Sequence, residues 1–114
     1  MARFGIFENE GGFGYLLDVQ SDLLGGLNTR VVVPLLPKSS APVPAQRLNP
    51  VFSIEGQEVV MATQYMAAVP EAELRSRVGS LSEEHDEISA ALEMLFLGFD
   101  THHVRLQCDL RTPT

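Results

Sequence analysis

Histidine, cysteine and carboxylate side chains are the groups in this 114-residue chain that could carry out acid–base, nucleophilic or metal chemistry. His85 lies among four carboxylates at the predicted start of a helix, a pattern more typical of a surface helix residue than of a catalytic base. His102 and His103 are adjacent, so their rings would point apart and form no strong metal site without a further ligand. Cys108 is the single cysteine and has no histidine at a useful spacing. We therefore predict a binding protein rather than an enzyme, with no metal and no cofactor.

The net charge of −7, from 15 acidic against 8 basic residues, argues against a nucleic-acid partner, because neutralising phosphates requires clustered lysines and arginines. The glycine-rich residues 11–14 precede a strand and lack the lysine and the helix of a phosphate-binding loop. A single cysteine forms no intramolecular disulfide, which favours a reducing compartment. No signal peptide and no apolar run of about 20 residues is evident, so we expect a cytoplasmic protein with no membrane partner.

The elements that must carry a binding site are mostly strands. At least five are predicted, because short runs rich in β-branched and aromatic residues alternate with turn formers at 3–7, 15–19, 29–35, 51–54 and 57–62. Glu55 and Gly56 predict a tight hairpin, and Pro34 predicts a strand end or a sheet edge. Residues 37–50 contain four of the seven prolines and predict a long loop, either a partner contact or a plain connector.

From Ser80 or Ser82 onward the apolar period becomes 3.6 residues, which predicts a helix of about five turns that starts with a capping box of Ser80 and Glu83 and ends at Gly98. The stripe predicted to face the core consists of Ile88, Ala91, Leu92, Leu95, Phe96 and Phe99. Met94 and Leu97 fall outside the stripe, so the last turns are apolar nearly all round. We expect them to pack on a second copy of the chain or on a partner.

Six collinear segments carry a family resemblance: DVQSDLL at 18–24, RVVVPL at 30–35, LNPVFSI at 48–54, MAAVP at 66–70, LS at 81–82 and FLGF at 96–99. Together they resemble the CcdB family of toxins from bacterial type II toxin–antitoxin modules. The resemblance covers residues 2–99. Any one motif would be weak evidence, but the ordered set is specific.

The resemblance implies a mainly β fold with one long C-terminal α-helix, an SH3-like small β-barrel of the CcdB and MazF kind, over residues 1–99. We expect the C-terminal extension at 100–114 to be poorly ordered. The resemblance also implies a homodimer that binds the A subunit of DNA gyrase and traps the gyrase–DNA cleavage complex without being an enzyme. A CcdA-like antitoxin would neutralise it by binding with a disordered C-terminal segment.

Carried over position by position, the resemblance implies seven gyrase-binding residues: Leu23, Leu24, Glu93, Phe96, Leu97, Gly98 and Phe99. Leu97 stands where the best-known member has a tryptophan that stacks on a gyrase arginine, and the chain continues for 15 residues past Phe99, where that member ends. Two alternatives stay open. One is a homologue that binds antitoxin without poisoning gyrase, and the other is a MazF-like endoribonuclease, which the acidic charge disfavours.

Overall fold

A single curled antiparallel sheet of seven strands, with one α-helix at its C-terminal side, forms the described part of the chain. The computed structural model describes residues 3–9, 12, 14–41, 44, 45 and 47–98. The elements are β1 (Gly5–Glu8), β2 (Tyr15–Asp18), β3 (Thr29–Pro37), β4 (Val51–Ile54), β5 (Gln57–Met61), β6 (Ala67–Pro70), β7 (Arg77–Ser80) and α1 (His85–Leu97). The sheet order is β4-β5-β3-β2-β1-β7, and β6 pairs with β3. This half-barrel with one helix matches the predicted small β-barrel.

The central strand β3 pairs along its whole length and contains Pro34, so the prediction that Pro34 marks a strand end or a sheet edge is wrong. One side of β3 pairs with β2. The other side pairs with β6 through residues 29–32 and with β5 through residues 35–37. The Pro34 carbonyl accepts a hydrogen bond from the Ala62 N–H at 2.9 Å, which places its backbone groups on that second side, where β6 gives way to β5. The missing N–H of proline therefore interrupts no ladder.

The five predicted strands are all present, with shifts of one or two residues at their ends. The first begins at Gly5 instead of residue 3, because Phe4 takes a left-handed backbone conformation with φ of 69°. The hairpin at Glu55 and Gly56 is confirmed, and both residues have positive φ, as a type I′ turn requires. Strands β6 and β7 were not predicted, since their sequences, AAVP and RVGS, lack a run of β-branched or aromatic residues.

The helix starts later than the pattern predicts. Residues 82–84 form a 3₁₀ turn, and α1 begins at His85. The predicted capping box is absent, because the Ser80 hydroxyl accepts a hydrogen bond from the Ser82 N–H at 3.1 Å instead. The helix ends as predicted at Gly98, which has φ of 78° and donates its N–H to the Met94 carbonyl at 3.0 Å.

The core lies between the sheet and the first half of α1. Within α1, all of whose residues are described, only Ile88 and Ala91 are buried. Leu92 packs half-buried against the core, whereas Phe96 is 67% exposed in this chain. The prediction that the apolar stripe faces the core along its whole length is therefore wrong for Phe96. Phe99 and the extension at 100–114 lie outside the described residues.

Candidate partner-binding site

Four of the seven predicted binding residues are large, apolar and exposed on the chain. Leu23 and Leu24 lie in a 3₁₀ turn, Asp22–Leu24, that we call the leucine turn, and Leu23 is 94% exposed. Phe96 and Leu97 lie in the last turn of α1, where Leu97 is 53% exposed. Exposed side chains of this size, concentrated on two neighbouring elements, are typical of an interaction surface.

A cavity of about 480 Å³ connects the leucine turn with the end of the helix. It brings together Leu24 and Phe96, which are far apart in the sequence. Its walls come from the turn, from β3, from the segment before β6 and from α1, through Val19, Gln20, Ser21, Leu24, Leu27, Thr29, Val31, Met66, Leu92 and Phe96. Most of these side chains are apolar and none is ionisable, so the cavity is suited to binding apolar side chains rather than to acid–base chemistry.

Of the other predicted binding residues, the four that the structure describes, Leu23, Glu93, Leu97 and Gly98, are not in the cavity wall. Leu23 projects away from the turn into solvent, and Leu97 and Gly98 lie at the exposed end of α1. Glu93 is partly buried on the same helix. Phe99 lies outside the described residues, so the structure brings together two of the seven and places four others close to them along the same two elements.

The leucine turn is built from local hydrogen bonds. The Ser21 hydroxyl accepts from the Leu23 N–H at 3.1 Å, and the Ser21 carbonyl accepts from the Leu24 N–H at 3.0 Å. The Gly25 N–H closes the turn on the Asp22 carbonyl at 3.3 Å. These bonds fix the backbone of the turn, and the Leu23 side chain extends from it into solvent.

A buried ion pair lies beneath this turn. Asp18 and Arg30 have fully buried side chains, and the Arg30 Nη2 lies 2.8 Å from the Asp18 Oδ2. The Arg30 Nε donates to the same oxygen at 3.0 Å, and Nη2 also donates to the Gln20 carbonyl at 3.3 Å. Arg30 Nη1 is buried and has no hydrogen-bond partner among the described residues. The pair thus joins the end of β2 to the start of β3 at the base of the turn.

The leucine turn is also tied to the N-terminal segment. The backbone N–H of Arg3 donates to the Asp22 Oδ1 at 2.9 Å, and the Arg3 Nε donates to the Val19 carbonyl at 3.1 Å. The Arg3 guanidinium lies 4.6 Å from the centroid of the Phe4 ring. The same Asp22 oxygen is 3.9 Å from Arg30, so the turn is held from two sides.

Sequence reasoning did not find this polar network. Asp18 and Arg30 were identified only as residues of two family motifs, and no ion pair between them was predicted. A signal was available, since each is a charged residue within or beside an otherwise apolar strand. Only the register, in which Asp18 lies opposite Val32 and Arg30 two residues away, brings the charges together.

The groups first considered for chemistry do not converge. His85 is exposed at the start of α1, with its Nδ1 3.4 Å from the Asp86 carboxylate and its ring edge-on to Phe4. Among the residues that the structure describes, no group of three or more His, Cys, Asp and Glu side chains is placed to hold a metal ion. None of the helices in the described ranges is long and apolar enough to span a membrane. His102, His103 and Cys108 lie outside those ranges.

Comparison with protein families adds one finding to this geometry. A family model described as CcdB protein matches residues 3–98. The match includes the leucine turn, the buried ion pair and the whole of α1. It ends at Gly98, where the helix ends, and leaves the following 16 residues unmatched.

The buried ion pair gives a prediction for stability. Replacing Arg30 with Met leaves the Asp18 carboxylate buried without its partner, so we expect the free energy of unfolding to fall by about 3–5 kcal/mol. The double variant Asp18→Leu, Arg30→Met removes both charges and should recover most of that loss. Urea unfolding of the wild type, both single variants and the double variant measures the coupling. Additive losses in the double variant would contradict a paired interaction.

Proposed function

Because the chain belongs to the CcdB family of toxins from toxin–antitoxin modules, we propose that it binds the A subunit of DNA gyrase and traps the gyrase–DNA cleavage complex. In this proposal it acts by binding and has no enzymatic activity of its own. The observation that supports it most is the apolar surface formed by the leucine turn and the end of α1, which contains Leu23, Leu24, Phe96 and Leu97, four of the residues proposed to bind gyrase.

The physical character of this surface favours a protein partner over DNA. Leu23, Leu24, Phe96 and Leu97 offer apolar contact area at the positions where a nucleic-acid-binding protein would offer lysine or arginine. The net charge of −7 opposes direct contact with the phosphate backbone. We therefore propose that gyrase itself, and not the DNA it holds, makes the principal contact.

We propose further that the protein is a homodimer in which a second copy covers part of the exposed last turn of α1. Phe96 and Leu97 are both more than half exposed on the isolated chain, and they are adjacent in the sequence, so the helix end is apolar on more than one face. Covering such a surface removes apolar area from water and stabilises the pair.

A CcdA-like antitoxin is the proposed regulator. The exposed first turn of α1 carries Asp86 and Glu87, and Glu83 and Glu84 precede it. Together with the net charge of −7, this acidic surface would attract a basic antitoxin segment and accelerate its association. Binding of that segment would remove the toxin from gyrase.

One observation favours a second candidate, a homologue that binds antitoxin without poisoning gyrase. Leu97 provides no aromatic face for a gyrase arginine, so an interaction worth about 0.5–2 kcal/mol in other contexts is missing. A protein that binds the antitoxin but yields no gyrase-dependent DNA breaks would establish this second candidate. Such a protein would compete for antitoxin rather than kill.

A matched pair of variants tests the gyrase contact. Leu23→Asp places a charge on the most exposed leucine of the site, and Val51→Asp makes the same change on the exposed edge strand β4. We expect Leu23→Asp to raise the toxin concentration needed for plasmid cleavage by roughly tenfold to a hundredfold, because a central apolar contact is lost. Val51→Asp should leave that concentration unchanged. The readout is linear plasmid produced by purified gyrase.

Two outcomes of this experiment would contradict the proposed gyrase contact. If the wild-type protein produces no linear plasmid with gyrase but degrades RNA, the ribonuclease interpretation replaces it. Equal loss of activity in both variants would place the contact elsewhere on the chain. Unfolding curves of both variants must match the wild type to within about 0.5 kcal/mol, as expected of exposed positions.

The homodimer has its own test. Phe96→Asp should convert the dimer to a monomer at micromolar concentration, because a carboxylate would be buried in an apolar interface. Since Phe96 is exposed on the isolated chain, the monomer should keep its circular dichroism spectrum. Sedimentation velocity measures the change, with Val51→Asp as the control that stays dimeric. A monomeric wild type under the same conditions would contradict the dimer.

We take the toxin domain to span residues 1–99, and a further segment follows it. Residues 100–114 follow directly on the helix end that is proposed to meet gyrase. We propose that this extension crowds the contact, since ordering each of its residues on binding would cost about 1–2 kcal/mol. Deleting it should leave the melting temperature unchanged and tighten gyrase binding, measured by calorimetry on the full chain and on the truncated one. Loss of folding, or weaker binding, would show that the extension belongs to the core or to the site.

A further inference from the structure

Gln20 is a nearly buried polar residue, 7% exposed, at the junction of β2 and the leucine turn. We propose that Gln20 is the positioning residue of the binding site, whose side-chain amide fixes the leucine turn to strand β3 and so holds Leu23 and Leu24 in place for the partner. The inference rests on the proposed function for the identity of that partner. The positioning itself is a property of the chain alone.

Both ends of the Gln20 amide are used. Its Oε1 accepts a hydrogen bond from the Val31 N–H at 3.0 Å, and its Nε2 donates to the Leu24 carbonyl at 3.3 Å. Val31 lies just beyond the residues of β3 that pair with β2, so no carbonyl of β2 accepts a hydrogen bond from its N–H. The side chain of Gln20 takes the place of that strand and passes the connection on to the last residue of the turn.

The buried ion pair fixes Gln20 in turn. The Gln20 N–H donates to the Asp18 Oδ1 at 3.1 Å, and the Gln20 carbonyl accepts from the Arg30 Nη2 at 3.3 Å. These two bonds hold the backbone of Gln20 on both sides, so its side chain starts from a fixed position next to β3. The chain of contacts therefore runs from the ion pair through Gln20 to Leu24, each link a hydrogen bond within or against the buried interior.

Two variants separate this role from a general contribution to stability. Gln20→Met keeps the length and volume of the side chain and removes both hydrogen bonds. Val59→Ala truncates a fully buried residue on β5, which pairs with the opposite half of β3, and so destabilises the fold without touching the turn. If Gln20→Met does not fold, Gln20→Glu keeps the acceptor for Val31 and removes the donor to Leu24.

The first measurement uses the toxin alone. Native-state hydrogen exchange should show the Val31 amide exchanging about tenfold faster or more in Gln20→Met, relative to amides of β4 and β5, because its side-chain acceptor has been removed. The Leu24 amide, which donates to the Ser21 carbonyl, should also exchange faster, because the Leu24 carbonyl no longer accepts from the Gln20 side chain and the turn opens more often. Val59→Ala should show no such selectivity. Equal acceleration of all amides in both variants would overturn the positioning role, whatever the partner is.

The second measurement joins the turn to function. The dissociation constant for a gyrase A fragment should rise about tenfold or more in Gln20→Met and less than about twofold in Val59→Ala, even though neither changes Leu23 or Leu24. An unchanged constant in Gln20→Met would overturn the positioning role. A wild-type protein that binds no gyrase would instead refute the proposed function, and the exchange data would still decide whether Gln20 holds the turn.

Discussion

The ion pair between Asp18 and Arg30 is the interaction on which the exposed surface of this protein depends. Both side chains are fully buried, and withdrawing two charges from water costs several kcal/mol for each ion before any attraction between them is counted. The compensation lies in the short contact of 2.8 Å and in the hydrogen bonds that each partner makes to the backbone of Gln20. A buried pair of this kind fixes the register of β2 and β3 as well as stabilising the fold, because the two charges meet in one register only.

The two halves of β3 pair with different strands and line different parts of the protein. One half of the strand, before Pro34, pairs with β6 and carries Thr29 and Val31 in the wall of the apolar cavity. The other half pairs with β5 and belongs to the core, where Leu35 and Val59 are fully buried. Helix α1 repeats the division, with Ile88 and Ala91 in the core and Phe96 at the surface. In α1, core contacts and exposed apolar surface thus lie at opposite ends of one element.

Most of this architecture could be read from the sequence, and the parts that could not share one physical cause. Strands such as β3 and β5 were predictable because Val, Leu and Met residues follow one another between turn formers. The four residues of β6 form a strand only because residues 29–32 of β3 offer them a partner, and no local pattern contains that information. The exposure of Phe96 has the same origin, since helical spacing defines a face but not which of its residues other elements cover.

The exposed residues of the candidate site could be predicted from the sequence, but the hydrogen bonds and the ion pair that support them could not. The leucines at 23 and 24 were identified through the family motifs and the apolar helix end through helical spacing, and the structure places them on neighbouring surfaces. The network that supports them depends on the register of β2 and β3, which brings together residues twelve positions apart. A sequence without an alignment contains the charges of Asp18 and Arg30 but not the geometry that pairs them.

The depth of this pair has a consequence for how the protein responds to ionic strength. Salt screens charges in contact with solvent within about 8–10 Å at physiological concentrations and acts only weakly on buried ones. The attraction of a basic partner to the net charge of −7 therefore decays as salt is added, whereas the bond between Asp18 and Arg30 persists. Encounter with a charged partner becomes slower in a concentrated electrolyte, yet the surface that the partner finally meets keeps its shape.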